Sequence, residues 1–396
     1  MTTAPGPSVL DALSLLSEVT DEVVVSSVRD THLAWADRAH GLTRRLAGPG
    51  AEVPAALHRG IASAIYSSIG LGLKAASTGL DKAAGAGLGG RLEATPRGRF
   101  VSSAVNGLIG DRLLRERPQL AIAMAVRHEG EDVVLEREHL ARTYPDASGE
   151  LVVFLHGLCE NESYWNRHRD RTGTTYAEAL AAEGWSPIML RANSGLPLRE
   201  NGIALTALMR RLVEEWPVPV TRIVLVGHSM GGLVIRAAGA VSAADVHATT
   251  DAGSDWNALV SDVVTLGTPH LGAPIAWGIG HGSRGLGRLP ETAAFGRILD
   301  QRSVGVHDLV VGLTEDVPPL PHARYRLVCA TLSASERHPV GHLVGDLLVR
   351  PRSAYGTDRR GNELFPGAER LHVGRTDHFG LLNHPDVLTA LRAWLS

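Results

Sequence analysis

The chain has 396 residues, of which 44% are apolar and 20% are charged, and this composition excludes a wholly disordered or fibrous protein. Its 39 Lys and Arg nearly balance its 42 Asp and Glu, and no run of five basic residues occurs, so no nucleic-acid partner is expected. Two cysteines cannot build a disulfide framework. The 44 glycines among 396 residues are about 11% of the chain, above the typical ~7%, which points to tight turns and close backbone contacts.

Residues 1–118 are predicted to form an N-terminal helical region. Ser8 and Asp11 have the spacing of a capping pair, and the helix that follows is predicted to end near Ala47, before a Gly-Pro-Gly sequence. A second helix is predicted from Pro54, with an apolar ridge beside a ridge of small residues: Leu57, Ile61, Ile65, Ile69 and Leu73, and Gly60, Ala64, Ser68, Gly72 and Ala76. We favour packing of these ridges against the rest of the chain, and leave a homodimer or membrane-surface contact open.

The first residues lack the basic segment of a secretory signal and carry four acidic side chains: Asp11, Glu18, Asp21 and Glu22. The most apolar stretch, residues 60–73, is too short to span a bilayer. We therefore expect a soluble, cytoplasmic protein.

Residues 119–396 show short apolar runs that alternate with helical stretches. A hairpin is predicted from runs at 120–127 and 133–138, and further strands are predicted at 151–155, 188–190, 223–226, 263–266, 325–330 and 371–373. Helices are predicted at about 175–183, 203–216, 232–241 and 385–395. This alternation predicts an α/β fold with a mainly parallel sheet that is covered by helices on both faces.

Residues 223–232 read IVLVGHSMGG, an apolar strand that runs into G-x-S-x-G and then into a helix-compatible segment. This context is typical of the nucleophile elbow, in which a serine lies on a sharp strand-to-helix turn. Gly227 and Gly231 lack side chains so that the strand and the helix can approach each other. The pattern predicts Ser229 as a nucleophile, with an ordinary turn as the alternative.

A serine nucleophile needs a base and an orienting carboxylate, which follow it in the order serine, acid, histidine. His378 follows the last predicted strand and is predicted as the base, whereas His372 lies within that strand and His384 has the position of a helix cap. Asp346 is predicted as the acid, because it lies among apolar residues where a carboxylate needs a hydrogen-bonding partner. Asp358, in a polar stretch, is interpreted as a solvated charge.

Negative charge on the substrate oxygen needs preorganised N–H donors, from the residue after the nucleophile and from the loop after an earlier strand. The predicted donors are the amides of Met230 and of Leu158, which ends the sequence HGL. An ordinary turn at Gly157 is the alternative.

Several other motifs are interpreted as coincidental. His338, His342 and Asp346 have a spacing that resembles a metal site, but Pro339 argues against a regular helix there, so no metal is predicted. Matches to G-x-G-x-x-G at 85–90 and 280–285 follow no strand, so no dinucleotide cofactor is predicted. Cys159 is interpreted as a packed thiol.

Five segments carry a family resemblance: HGL at 156–158, GHSMGG at 227–232, TLGTPHLGAP at 265–274, VGDLLVRPRSA at 344–354 and DHFGLLNHPDV at 377–387. They resemble the α/β-hydrolase superfamily, in its lipase/esterase-like branch, and are similar to bacterial lipases and GPI inositol-deacylase-like proteins. The resemblance covers the chain from about Leu120 to its end, and implies hydrolysis of carboxylic esters, often of lipids, without a cofactor. Many bacterial lipases have Asp-Gly at the acid, where this chain has Asp346-Leu347.

A long, apolar and glycine-rich insert at about 268–322 separates two predicted strands. It is predicted to cover the serine as a lid or to form a wall of an acyl pocket, with Leu271, Ile275 and Trp277 in contact with substrate. A loop that only packs on the core is the alternative.

These features together predict a serine hydrolase for small-molecule or lipid esters with an apolar acyl or alcohol part, acting through an acyl-enzyme. An acyltransferase on the same triad and a non-catalytic binding or scaffold protein on this fold are the open alternatives.

Overall fold

The structure is a computed structural model that describes residues 7–19, 52–88, 90–246, 256–273, 303–313, 317–336, 338, 341 and 345–396. The described residues form two compact units, which are divided between Gly98 and Arg99. Within these ranges, no helix combines the length and the apolar character that are needed to cross a membrane.

The first unit contains the helices α1 (Val9–Val19) and α2 (Glu52–Gly85). The predicted capping pair is confirmed, because Ser8 Oγ accepts from the Asp11 amide at 3.2 Å and Asp11 Oδ2 accepts from the Ser8 amide at 2.9 Å. A buried hydrogen bond of 2.9 Å between Ser14 Oγ and Ser77 Oγ joins the two helices. Residues 20–51 and most side chains of the predicted apolar ridge on α2 lie outside the described residues.

Helix α3 (Pro96–Glu116) leads into the second unit. The strands of that unit are β1 (Ala125–His128), β2 (Glu131–Asp132), β3 (Glu150–Leu155), β4 (Ser186–Arg191), β5 (Arg222–His228), β6 (Val260–Leu266), β7 (Arg324–Thr331) and β8 (Glu369–Gly374). Its described helices after α3 are α4 (Arg137–Thr143), α5 (Arg169–Thr172), α6 (Tyr176–Ala181), α7 (Leu198–Glu215), α8 (Met230–Val246), α9 (Val304–Val311), α10 (Pro351–Ala354) and α11 (Pro385–Leu395).

The strands form one sheet in the order β2-β1-β4-β3-β5-β6-β7-β8. β3 to β8 run parallel, while β1 pairs antiparallel with both β2 and β4. Leu155 and Leu225 belong to the apolar core on one face of the sheet, and Phe154 and Val226 belong to the core on the other face. The predicted mainly parallel sheet covered on both faces is confirmed, and burial of both faces explains why β5 reads as a continuous apolar run.

The predicted hairpin is shorter than its sequence pattern. β2 contains only Glu131 and Asp132, and the chain turns at residues 133–136 into helix α4. Val134, inside the predicted strand, is 42% exposed, whereas Leu140 on α4 is fully buried. Val133 is buried in the core and its amide still donates to the carbonyl oxygen of Val126, so the strand pairing ends there and the chain turns into the helix that buries Leu140.

A buried asparagine fixes the segment between the last strand and the last helix. Asn383 has a φ of +58°, and its Oδ1 accepts from the Tyr176 amide at 2.8 Å. Its Nδ2 donates to the carbonyl oxygens of Trp165 and Arg167, each at 2.8 Å. These bonds attach the segment that follows β8 to α6 and to the loop before it.

We expect Asn383→Ala to lower the free energy of unfolding by about 2–4 kcal/mol, because it leaves three backbone groups without their partner. Urea unfolding of the full chain measures the change. Asn362→Ala is the matched control, since Asn362 Nδ2 also donates a hydrogen bond, to Asp358, but on the surface. Its cost is expected to stay near or below about 0.5 kcal/mol, and equal losses in the two variants would contradict the prediction.

Candidate active site

Four of the predicted site residues lie in loops at the carboxyl ends of parallel strands. Leu158 follows β3, Ser229 follows β5, Asp346 follows β7 and His378 follows β8. β3 and β5 are neighbours in the sheet, and so are β7 and β8, with β6 between the two pairs. Because the carboxyl ends of parallel strands share one edge of a sheet, these loops converge on one site.

Ser229 lies on a strained turn between β5 and α8. Its φ is +52°, in the left-handed region that side chains rarely occupy. A methyl group at Gly227 would lie 2.5 Å from the nitrogen of Gly232, and one at Gly231 would lie 2.7 Å from the carbonyl oxygen of His156. Both glycines are therefore needed for the strand, the helix and the neighbouring loop to approach each other.

A buried hydrogen bond of 2.8 Å joins His378 Nδ1 to Asp346 Oδ2. The His378 amide also donates to the carbonyl oxygen of Asp346 at 3.0 Å. The second carboxylate oxygen, Oδ1, accepts from the amides of Leu348 and Val349 at 3.0 and 2.8 Å. Asp346 is 1% exposed, so these three donors to its carboxylate compensate for the water that it has lost.

The other ring nitrogen of His378, Nε2, is buried and has no hydrogen-bond partner among the described residues, so it is not bonded to Ser229. Leu266 and Gly267, which are consecutive, contact Ser229 and the His378 ring respectively. The Ser229 amide donates to the carbonyl oxygen of Leu266 at 2.8 Å, and a methyl group at Gly267 would lie 3.1 Å from His378 Nδ1. A buried nitrogen with an unused lone pair is suited to accept a proton from a hydroxyl group.

The loop after β3 packs directly on the elbow. A methyl group at Gly157 would lie 2.9 Å from Ser229 Cβ. The amides of Leu158 and Met230 donate to no acceptor within the part of the chain that the structure describes. The next amide, of Cys159, donates to Ser194 Oγ at 3.0 Å and fixes the turn. Two unused N–H groups beside the serine are suited to bind an oxyanion.

A second carboxylate–imidazole pair, which the sequence patterns do not reveal, lies beside the first. Glu160 Oε2 lies 3.0 Å from His228 Nδ1 and accepts from the Gly157 amide at 2.8 Å. His228 Nε2 lies 3.3 Å from the carbonyl oxygen of His378, and the two imidazole rings are 4.8 Å apart. The only local signal in the sequence is position, since Glu160 follows HGL by two residues and His228 directly precedes Ser229.

The environment of this pair favours its charged form. Burial alone would lower the pKa of His228, but the adjacent Glu160 carboxylate outweighs it and raises that pKa above its ordinary value. Burial alone would raise the pKa of Glu160, but His228 and the Gly157 amide together lower it. Both shifts have the direction expected of an ion pair.

The alternative candidates lie elsewhere. Asp358 is on an exposed turn, where backbone amides bind its carboxylate, His372 lies within β8, and His384 is the N-cap of α11. Burial raises the pKa of the Cys159 thiol to about 11, so this thiol is protonated at neutral pH. Among the described residues, no group of three His, Cys, Asp or Glu side chains is placed to hold a metal ion.

The predicted lid is described in part. Leu271 lies in the loop after β6 with 39% of its surface exposed, and its amide donates to Ser353 Oγ at 3.1 Å. Helix α9 also falls within the insert, and its N-cap Ser303 donates through Oγ to the carbonyl oxygen of Gly107 at 2.7 Å. Ile275 and Trp277 lie outside the described residues, so their contact with substrate stays a prediction.

Comparison with known proteins adds a family match and several structural neighbours. The family model of the PGAP1-like alpha/beta domain matches residues 192–283, which include the elbow. No curated protein matches the chain. The mature Bacillus licheniformis lipase BlEst2 aligns with 62% of this chain and 91% of its own length, at 21% identity and a TM-score of 0.43. The Pyrococcus furiosus esterase aligns with 63% of this chain and 84% of its own length, at 16% identity and a TM-score of 0.37. The Bacillus subtilis naproxen esterase aligns with 62% of this chain and 84% of its own length, at 11% identity and a TM-score of 0.38.

The strand order, the left-handed serine on the turn after β5 and the family match agree on one fold. It is the α/β-hydrolase fold. The α/β-hydrolase fold that the five sequence segments imply is thereby confirmed, and the family match covers two of them, at 227–232 and 265–274.

In this α/β-hydrolase fold, the residue after the predicted acid is under backbone strain. Leu347 has a φ of +86°, which a side chain disfavours, at the position where many bacterial lipases carry glycine. This conformation closes the turn in which the two following amides bind Asp346 Oδ1. Leu347 is 46% exposed, so packing of its side chain offsets little of the strain.

We expect Leu347→Gly to have a free energy of unfolding about 1 kcal/mol higher than Leu347→Ala. Both changes remove the exposed side chain, but only glycine removes the Cβ that the left-handed conformation disfavours. Urea unfolding of the two variants measures the difference. An alanine variant as stable as the glycine variant would show that the turn stores no strain at this position.

Proposed function

We propose that the chain is a serine hydrolase that cleaves carboxylic esters through an acyl-enzyme. The observation that carries the proposal is the buried 2.8 Å bond from His378 Nδ1 to Asp346 Oδ2, at the edge of the sheet that carries Ser229, with Nε2 bonded to none of the described residues. Accepting a proton is the chemistry that such a nitrogen supplies, and the adjacent elbow offers the hydroxyl group that would give it.

In the proposed acylation, Ser229 Oγ attacks the ester carbonyl carbon while His378 Nε2 takes the hydroxyl proton. Asp346 accepts from Nδ1–H, which fixes the tautomer with a free Nε2 lone pair and stabilises the imidazolium that forms. The amides of Leu158 and Met230 donate to the oxyanion of the tetrahedral intermediate. The imidazolium then protonates the leaving alcohol, and the acyl group remains on Ser229.

In the proposed deacylation, His378 takes a proton from water as the water oxygen attacks the acyl carbon. The imidazolium then returns that proton to Ser229 Oγ as the bond between Oγ and the acyl carbon breaks, which releases a carboxylic acid and restores the free enzyme. An acyltransferase would use the same steps with an alcohol in place of water. Product analysis with an added alcohol therefore distinguishes the two reactions, because only acyl transfer enriches the new ester over the acid.

Exposed leucines in the loops of the site favour an ester with an apolar part. Leu271 follows β6, and Leu347 and Leu348 directly follow Asp346, with 39%, 46% and 36% of their surface exposed. These loops lie at the same edge of the sheet as Ser229, where an acyl or alcohol chain would contact them. Ile275 and Trp277 of the insert are proposed to extend this apolar surface.

We expect Ser229→Ala to lower the turnover of a nitrophenyl ester by on the order of 10⁶-fold, because it removes the nucleophile. The wild-type chain should also react with a fluorophosphonate probe at Ser229, as peptide mass spectrometry would identify, whereas the alanine variant should not. Wild-type turnover in the variant would reject Ser229 as the nucleophile, whereas a wild-type chain without turnover whose serine also resists the probe would favour a binding or scaffold role.

Asp346→Asn tests the assignment of the acid, with Asp358→Asn as its matched control. An asparagine at 346 cannot hold the imidazole in the productive tautomer, so kcat is expected to fall by about 10⁴-fold. Asp358 lies on an exposed turn, where its carboxylate binds the amides of Arg360 and Asn362, and its variant is expected to keep the wild-type kcat. The reverse result, a large loss at 358 only, would exchange the two assignments.

A further inference from the structure

The pair formed by Glu160 and His228 takes no part in the steps proposed above, yet both ring nitrogens of His228 face oxygen atoms. Nδ1 lies 3.0 Å from Glu160 Oε2, and Nε2 lies 3.3 Å from the carbonyl oxygen of His378. A carboxylate oxygen and a carbonyl oxygen accept hydrogen bonds, so both nitrogens of the ring must donate. A ring that donates from both nitrogens carries two protons and a positive charge.

We propose that His228 is a buried imidazolium, held by Glu160, that positions the catalytic base His378. This role rests on the proposed function, because it concerns the base of that reaction. His228 is a positioning residue, since it acts on His378 and on the backbone around it.

The pair connects three parts of the site that lie far apart in the sequence. Glu160 Oε2 also accepts from the Gly157 amide at 2.8 Å, so the carboxylate fixes the loop that carries Leu158. His228 directly precedes Ser229 on the elbow, and its Nε2 donates to the main chain of His378. One ion pair therefore fixes the relative positions of the loop that carries Leu158, the nucleophile Ser229 and the base His378.

The positive charge of His228 also acts on the His378 ring, whose centre is 4.8 Å away. Among the described residues, Glu160 in the loop after β3 and Asp346 in the loop after β7 act on the His228 imidazole, and the buried imidazole of His156, directly after β3, acts on Glu160. The aromatic neighbours of His228, Trp165 and Phe379, are uncharged. A cation disfavours a second cation beside it, and this repulsion between the two rings is what the pH test below measures.

The charge state of His228 can be measured without enzyme turnover. In the full chain with ¹⁵N-labelled histidine rings at pH 7.5, about one unit above the ordinary histidine pKa of ~6.5, both ring nitrogens of His228 are expected to be protonated. Their signals are assigned by their loss in His228→Gln. A nitrogen of His228 without a proton at this pH would overturn the proposal.

The effect on the base is measured by the pH dependence of kcat/KM for a nitrophenyl ester. His228→Gln removes the cation, and Glu160→Gln removes the partner that keeps it charged. The acid limb of kcat/KM is expected to move to higher pH by about 0.5–1 unit in His228→Gln, because the neutral amide no longer repels a proton on His378. A smaller shift in the same direction is expected in Glu160→Gln, which removes the carboxylate together with the cation. A merely structural role would lower the rate without moving this limb.

His270→Gln is the matched control, because His270 is also fully buried but is neutral: burial, with a smaller effect of Arg236, lowers its pKa to about 3. Its variant is expected to keep the acid limb of the wild type. An acid limb that stays in place in both His228→Gln and Glu160→Gln, or that moves equally in His270→Gln, would overturn the positioning role. A wild-type chain with no esterase activity would instead reject the proposed function, while the nitrogen spectrum would still decide the charge of His228.

Discussion

The contact between Asp346 and His378 is the interaction on which the rest of the site depends, because a buried carboxylate and a buried imidazole are each costly without the other. Two hydrogen bonds join these residues, one between side chains and one from the His378 amide to the Asp346 carbonyl oxygen. The loops that carry them follow β7 and β8, which pair in parallel from Arg326 and Glu369 to Thr331 and Gly374. The pairing of β7 with β8 therefore places the two loops next to each other, independently of the side chains of the site.

Close approach of backbone to backbone is the second constraint, and it explains part of the glycine content. The elbow after β5 and the loop after β3 meet without room for a Cβ at Gly157, Gly227 or Gly231. This proximity leaves the amides of Leu158 and Met230 beside Ser229 with no acceptor among the described residues. The same glycines that permit the turn thus expose the N–H groups on which an oxyanion site depends.

Features of the site that follow from local sequence could be predicted, and those that follow from contacts between distant loops could not. The elbow was readable because an apolar strand, two glycines and a helix are contiguous, and the loop positions of Asp346 and His378 follow from the strands before them. The pairing of Glu160 with His228 spans 68 residues and depends on how the loop after β3 lies on the elbow. Residues 133–138 have the apolar content that is typical of a strand, but within this segment only Val133 is buried, and the chain turns into a helix that buries Leu140.

Two carboxylate–imidazole pairs lie side by side, and the surroundings of the second ring nitrogen give them different chemistry. In His378 that nitrogen is buried without a partner among the described residues, so its lone pair is available for the proton transfer that we propose. In His228 the second ring nitrogen, Nε2, faces a carbonyl oxygen. Without its proton, the lone pair of Nε2 would point at a lone pair of that oxygen, so Nε2 keeps the proton. The acceptor that fixes the charge of His228 is the main chain of His378 itself. A carboxylate beside a histidine therefore does not by itself make a base; the atom on the far side of the ring decides whether the proton can leave.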